Sequence, residues 1–409
     1  MLKKIYSLIN LNSLSHAFLI LSFTFVFYFS FSTVLHHHSF SQIFISYSEG
    51  FVKNALLGEF VFSLKKITNL DFKLLKNSIF VIFHLLNILL FLRILKPVIN
   101  SSKIIYIFLL LNPALILFPI YDIGAFLRKE IFMVSSFLVH IYFSQLLNFE
   151  KIDKKKYGNL VSYILGPFIL INSLIHSIQI LFLPLHFFIY KRNLNSKYER
   201  KNILFIFLLI ILFLTQFFFY KQISYNILYE STLERLGIFT NQFNFSITPY
   251  IFLNLNIAER FDATLPYIKN AKFVFLYFIS ILIIVMPLIF MLKKLETLNQ
   301  KFEIKYILLS ILPFIMLLFL ASDWGRWIYI IAMILVGTKL QFKINNKVKF
   351  EYGLLINLLL FLTIGFYLFF FNLSHCCVKN LFFYGMNQNI ELFINVLFDN
   401  LKVIEHIKY

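Results

Sequence analysis

The chain has 409 residues, 60% of them hydrophobic and only 14% charged, with 55 phenylalanines and a mean hydropathy of +0.80. A water-soluble domain is excluded, because about 45–50% apolar is already ordinary for one and the excess here has no interior to hide in. The net charge of +19 raises nucleic acid as a partner only until its distribution along the chain is read.

The first apolar run, "AFLILSFTFVFYFSFSTVL" (17–35), carries no charge and predicts a retained membrane helix. It is too long for a signal-peptide core and lacks a small-residue cleavage pattern. An outer loop 36–76 follows. Its "HHH" (36–38) is read as a polar patch at headgroup level, since three consecutive residues cannot share one metal face on a helix. Glu49 and Lys53 stand four apart in it and would pair on a helix.

Spans are then predicted at 77–92, 104–120 and 131–147. Between the last two, "FPIYDIGAFLRKEIFMV" (118–134) places Asp122, Arg128, Lys129 and Glu130 in an outer turn, 121–130. The apolar stretch 160–190 is long for one span and short for two. Pro167 and Pro184 flank a centre holding Asn172, Ser173, His176 and Gln179, which predicts a short broken hairpin with a polar turn. Further spans fall at 203–220, 273–292, 306–321, 328–338 and 354–372.

Between them lie an outer loop 221–272, containing the amphipathic "NILYESTLERLGIF", and the outer turn 322–327 within "ASDWGRW". A C-terminal amphipathic segment, 374–409, ends the chain. The adjacent Cys376 and Cys377 cannot staple distant segments.

The expected architecture is all-α: one polytopic membrane domain, 1–409, with about 11 membrane segments and a cytoplasmic N-terminus. In that topology the inner pieces hold 22 Lys+Arg against 6 acids, as the loop rule for positive residues demands. Nucleic acid is therefore not needed to explain the charge. No inner piece exceeds 16 residues, and the phosphate-loop and dinucleotide motifs are absent. An ATP-driven pump within this chain is excluded. No internal repeat supports the usual transporter layout.

Thirteen of the 19 acids fall on the outer side, the most tightly flanked ones where spans end. Charges at such depths are costly unless they face protein, water or a ligand. A substrate with an apolar tail in the bilayer and an anionic head above it fits that placement, as a lipid-linked sugar does. Arg donates two parallel hydrogen bonds to phosphate, and Lys acts as a point charge. Candidate binders of a (di)phosphate are Arg128, Lys129, Arg326 and Lys53. Candidate acids and bases are Asp122, Glu130, Asp323, Glu49 and His176. Trp324 and Trp327 have the habit of interface anchors. No metal or other cofactor is indicated.

The outer motifs "EGFVKNALLG", "YDIGAFLRKE", the histidine before "LFLPL", and "SDWGRW" resemble those of bacterial surface-polysaccharide polymerases. These are the O-antigen and capsule polymerases (Wzy-like) and, more broadly, multi-span GT-C-type lipid-sugar glycosyltransferases. The resemblance covers about 45–330. It implies glycosyl transfer or polymerisation from polyprenyl-(di)phosphate-linked sugars at the outer face of the inner membrane, alongside a polysaccharide export system. It implies Arg128, Lys129, Glu130, Asp323 and Arg326 as site residues, with Glu49 the acid if the first loop is catalytic. Two positions depart from the family pattern: Asn54 stands where a second basic residue is usual, and Ser177 follows the histidine in place of an acid. The rival expectation is a flippase for the same lipid-linked glycans, which would need charges at mid-span; the spans hold almost none.

Overall fold

The computed structural model describes residues 11–31, 41–194, 223–237, 245–295, 304–344 and 354–369, with residue 373 and isolated positions from 204 to 214. The predicted span 203–220 lies mostly outside these, and the histidine run 36–38, Cys376–Cys377 and the segment 374–409 lie wholly outside. The described residues are helical with no strand. Four helices are long and apolar enough to cross a membrane: Phe72–Ser101, Glu130–Asn148, Lys154–Ile175 and Ala271–Lys293.

Helix α1 (Leu11–Phe31) leads to an irregular stretch and then α2 (Leu56–Thr68), a helix inside the predicted loop 36–76. Asp71 caps α3 (Phe72–Ser101) by accepting from the amides of Lys73 and Leu74. The helix carries Pro97 internally and runs nine residues past the predicted end of its span. Only Ser102, in extended conformation, separates it from α4 (Lys103–Leu111), which that same serine caps. The single span expected at 104–120 is not one helix. Pro113 cannot continue α4, and Asn112 Oδ1 instead accepts from the Ala114 amide in a tight turn. Two four-residue helices, Phe118–Tyr121 and Ile123–Phe126, then lead to α5 (Glu130–Asn148).

Helix α5 is the centre of the molecule. The next segment rises as α6 (Lys154–Ile175, with a π-turn at Val161–Leu165), breaks at His176, continues as a 3₁₀ turn Ser177–Phe182 and returns as α7 (Leu183–Asn193). The hydroxyl of Tyr157, near the start of the first arm, accepts from Asn193 at the end of the second, at 3.1 Å. The arms are therefore antiparallel and His176 is the tip of a hairpin. Its arms extend to 154 and 193, beyond the predicted 160–190, because the flanking lysines continue the helices.

Three helices fill the expected loop 221–272: α8 (Tyr225–Leu236), the short Thr248–Asn254, and α9 (Ile257–Lys269), whose Asn256 and Glu259 form a capping box. In α8 the buried positions are Leu228, Thr232 and Leu236, while Ile227 is exposed. Arg235 forms two hydrogen bonds to Glu59 and lies over the ring of Phe62, clamping α8 to α2. That hydrogen bond holds the Glu59 carboxyl below its usual range, against the opposing effect of burial.

Helices α10 (Ala271–Lys294), α11 (Ile304–Leu320), α12 (Trp324–Leu340) and α13 (Leu354–Phe369) complete the bundle. Helix α12 begins four residues before the predicted span, leaving only a three-residue link after α11. It packs along α5 in the same direction. Arg326 meets Glu130 at one end, and Gln341 meets Ser144 at the other. Close approach is possible because Gly337 faces Phe137, where an added Cβ would lie 2.5 Å from the ring.

Candidate active site

Three separate segments deliver ionic side chains to the same end of the bundle. Glu130 opens α5, and Arg326 sits in the first turn of α12, with Asp323 just before it. The guanidinium of Arg326 donates to both Glu130 and Asp323. The hairpin tip brings His176 Nε2 to 3.4 Å from Glu130 Oε1. Arg128 and Asp122 come from the turn before α5, and both are buried. Opposite charges this deep offset their desolvation only when paired, and three carboxylates here face two arginines and the His176 imidazole. Burial, and next the neighbouring Arg326, pull the Arg128 guanidinium below its usual value, while Asp323, Glu130 and Asp122 oppose that shift.

Above these groups opens a cavity of about 590 Å³. Arg128, Arg326, Asp323 and His176 line one side of it. Thr248, Arg260 and Thr264 line the other, and Phe252, Leu253, Tyr267, Leu317 and Leu320 supply apolar wall. A space for about one water lies beneath, between Arg128, Glu130, Arg326 and Tyr329.

Five buried polar atoms here have no hydrogen-bond partner among the described residues: Arg326 Nε, Trp327 Nε1, both ring nitrogens of His176 and Glu130 Oε2. The Arg326 and Trp327 nitrogens are donors. A carboxylate only accepts, so the imidazole proton belongs on Nε2, facing Glu130, and Nδ1 carries a lone pair. Orphaned groups are rare in folded interiors, and a set of them beside a cavity points to a polar ligand.

Comparison with family models, curated proteins and solved structures finds no match to this chain.

The other expected residues are placed differently. Lys129 is fully buried and does not itself line the cavity; its ammonium donates at 2.7 Å to the carbonyl of Asn54, which does. Burial lowers its pKa to about 7, with Glu130 opposing. The side chain of Asn54 accepts from the Ser177 amide at 2.6 Å, so one residue ties the first outer loop to both Lys129 and the hairpin tip. Asn54 adopts a left-handed φ of 63°, which asparagine tolerates well. Asn54 and Ser177 thus bond to each other.

Glu49 and Lys53 are half-buried and are not among the cavity-lining residues. The stretch that carries them is not the expected helix, because Gly50 at φ 122° and Asn54 hold it in turns. Among the described residues, no group of three or more His, Cys, Asp or Glu is placed to hold a metal ion.

Sequence reasoning missed Arg260 and the role of Trp327. Arg260 is oriented by carbonyls, its Nε donating to Leu255 and its Nη2 to Phe252. The Asn256-x-x-Glu259 capping signature just before it was the available signal. Trp327, read as an interface anchor, is only 1% exposed and lines the cavity.

Proposed function

We propose that this chain transfers glycosyl units from polyprenyl-(di)phosphate-linked sugars at the outer face of a bacterial inner membrane, as a polysaccharide polymerase or a related transferase. The observation that supports it is the meeting of Arg128, Arg326, Asp323 and His176 in one cavity that also has an apolar wall. In this reading the 11 membrane segments and the cytoplasmic N-terminus place that cavity at the outer boundary of the bilayer.

The chemistry assigns a role to each group. Arg128 lines the cavity, and Arg326 offers its Nε donor; together with Trp327 Nε1 they receive the phosphate oxygens. His176 Nδ1 takes the proton from the acceptor hydroxyl as its oxygen attacks the anomeric carbon. The bond from that carbon to the phosphate oxygen breaks, and the lipid (di)phosphate leaves with the electron pair, stabilised by the arginines. Glu130 orients His176 and stabilises its charged form. The acid that the family pattern sets beside the histidine in sequence is here supplied across the fold. Leu317 and Leu320 flank the path of the lipid tail.

The test is to replace Arg128, Arg326 and His176 separately with Ala in the cell and to examine surface polysaccharide. Single-unit glycan caps support a polymerase. Complete loss favours an earlier transferase or the alternative, a flippase. Unchanged ladders overturn the reading.

A further inference from the structure

A second buried polar cluster lies far along α5 from the cavity. His140 Nδ1 and His186 Nδ1 approach to 2.9 Å, and His140 Nε2 lies 2.9 Å from the Tyr157 hydroxyl. Asn193 donates to that hydroxyl and to Ser144 Oγ, which in turn donates to Gln341. Every one of these groups is buried. The cluster joins both arms of the hairpin to α5 and α12.

Only one proton fits between two Nδ1 atoms. Asn193 already donates to the Tyr157 oxygen, so the arrangement that leaves fewest groups unpaired sends the tyrosine proton to His140 Nε2. His140 then carries its own proton on Nδ1 and donates it to His186 Nδ1. Both rings are uncharged, and the chain of donors runs in one direction to end at His186 Nε2, which has no hydrogen-bond partner among the described residues.

We propose that this histidine pair is a register lock that positions the hairpin tip. Apolar side chains packed in lipid give little axial specificity, because hydrocarbon meets hydrocarbon at every offset. Hydrogen bonds between buried partners do fix an offset. Ten residues of α5 separate His140 from Glu130, about 15 Å along the axis. Between them, Asn172 donates to the Phe132 carbonyl, and Ser136 Oγ, which donates to the Met133 carbonyl, lies 3.3 Å from Gln179, so the hairpin meets α5 at successive depths. Neither His140 nor His186 lines the cavity. They are positioning residues, and their role in catalysis rests on the reading of His176 as the base.

The test follows the tip position and not activity. In a chain with Cys376 and Cys377 replaced by Ser, Ser177→Cys is labelled with a water-soluble maleimide in lipid nanodiscs. His186→Asn keeps an acceptor at the Nδ1 position and should label within about twofold of the parent. His186→Leu breaks the bond from His140 Nδ1 and should label about fivefold faster, the ratio that loss of one buried hydrogen bond of about 1 kcal/mol gives. Tyr157→Phe, which preserves both imidazoles, should also speed labelling and decides the matter if His186→Leu does not fold. Unchanged labelling in Leu and Phe variants, or equal acceleration in the Asn variant, overturns the lock. If labelling follows the lock while surface polysaccharide does not change, the functional reading fails and the lock stands.

Discussion

At the scale of single residues, Arg326 is the most constrained group in the site. It bridges carboxylates from two segments and is 7% exposed. Removing one partner of such a buried pair costs about 3–5 kcal/mol, because the other charge is left uncompensated. Glu130→Ala and Arg326→Ala should each lower the melting temperature in detergent, and the double variant should lose much less than their sum. Additive losses would show that the two groups are independent.

Lys129 gives a pH signature. Burial holds its folded pKa near 7, below the ordinary 10.5, so the unfolded chain binds more protons between those values. Stability should therefore rise with pH across that window, and Lys129→Met should remove the increment. An unchanged slope would contradict the burial. Asp122, Arg128, Glu130, Asp323 and Arg326 were legible because charges beside oily segments stand out, whereas Arg260 sits in an expected polar loop and does not. Asn54, Trp327 and the His140–His186 pair were not, because their meaning lies in partners as many as 123 residues away, as with Asn54 and Ser177.

At the scale of elements, the hairpin was readable and the fourth helix was not. Two prolines around a polar centre mark a break wherever they occur, and the chain breaks at His176. In contrast, 104–120 is apolar throughout, and hydropathy alone does not distinguish a continuous helix from α4 followed by turns at Pro113. The contact of α5 with α12 depends on Gly337, which is invisible to periodicity. Gly337→Leu would drive a side chain into Phe137 and cost about 1–3 kcal/mol by overpacking. It should also separate Arg326 from Glu130 and lower activity beyond its effect on stability. Paired with Phe137→Ala, part of both losses should return. If Gly337→Leu is tolerated fully, the two helices do not approach as described.

At the scale of the whole molecule, composition alone was enough for a helical membrane protein, and the described residues carry four helices able to span a bilayer. The gathering of charges at one end of the bundle is what the sequence could only raise as an expectation. Helices α5 and α12 are parallel, and the hairpin places its tip beside their first turns. The cavity is thus an outcome of helix direction, which short connections and buried amide hydrogen bonds set. The most direct measurement uses the purified protein in nanodiscs with a polyprenyl-diphosphate-linked oligosaccharide, following saccharide length on gels. The account predicts a ladder of longer products for the native chain and none for His176→Ala or Arg326→Ala with the fold intact. A full ladder from either variant would contradict it.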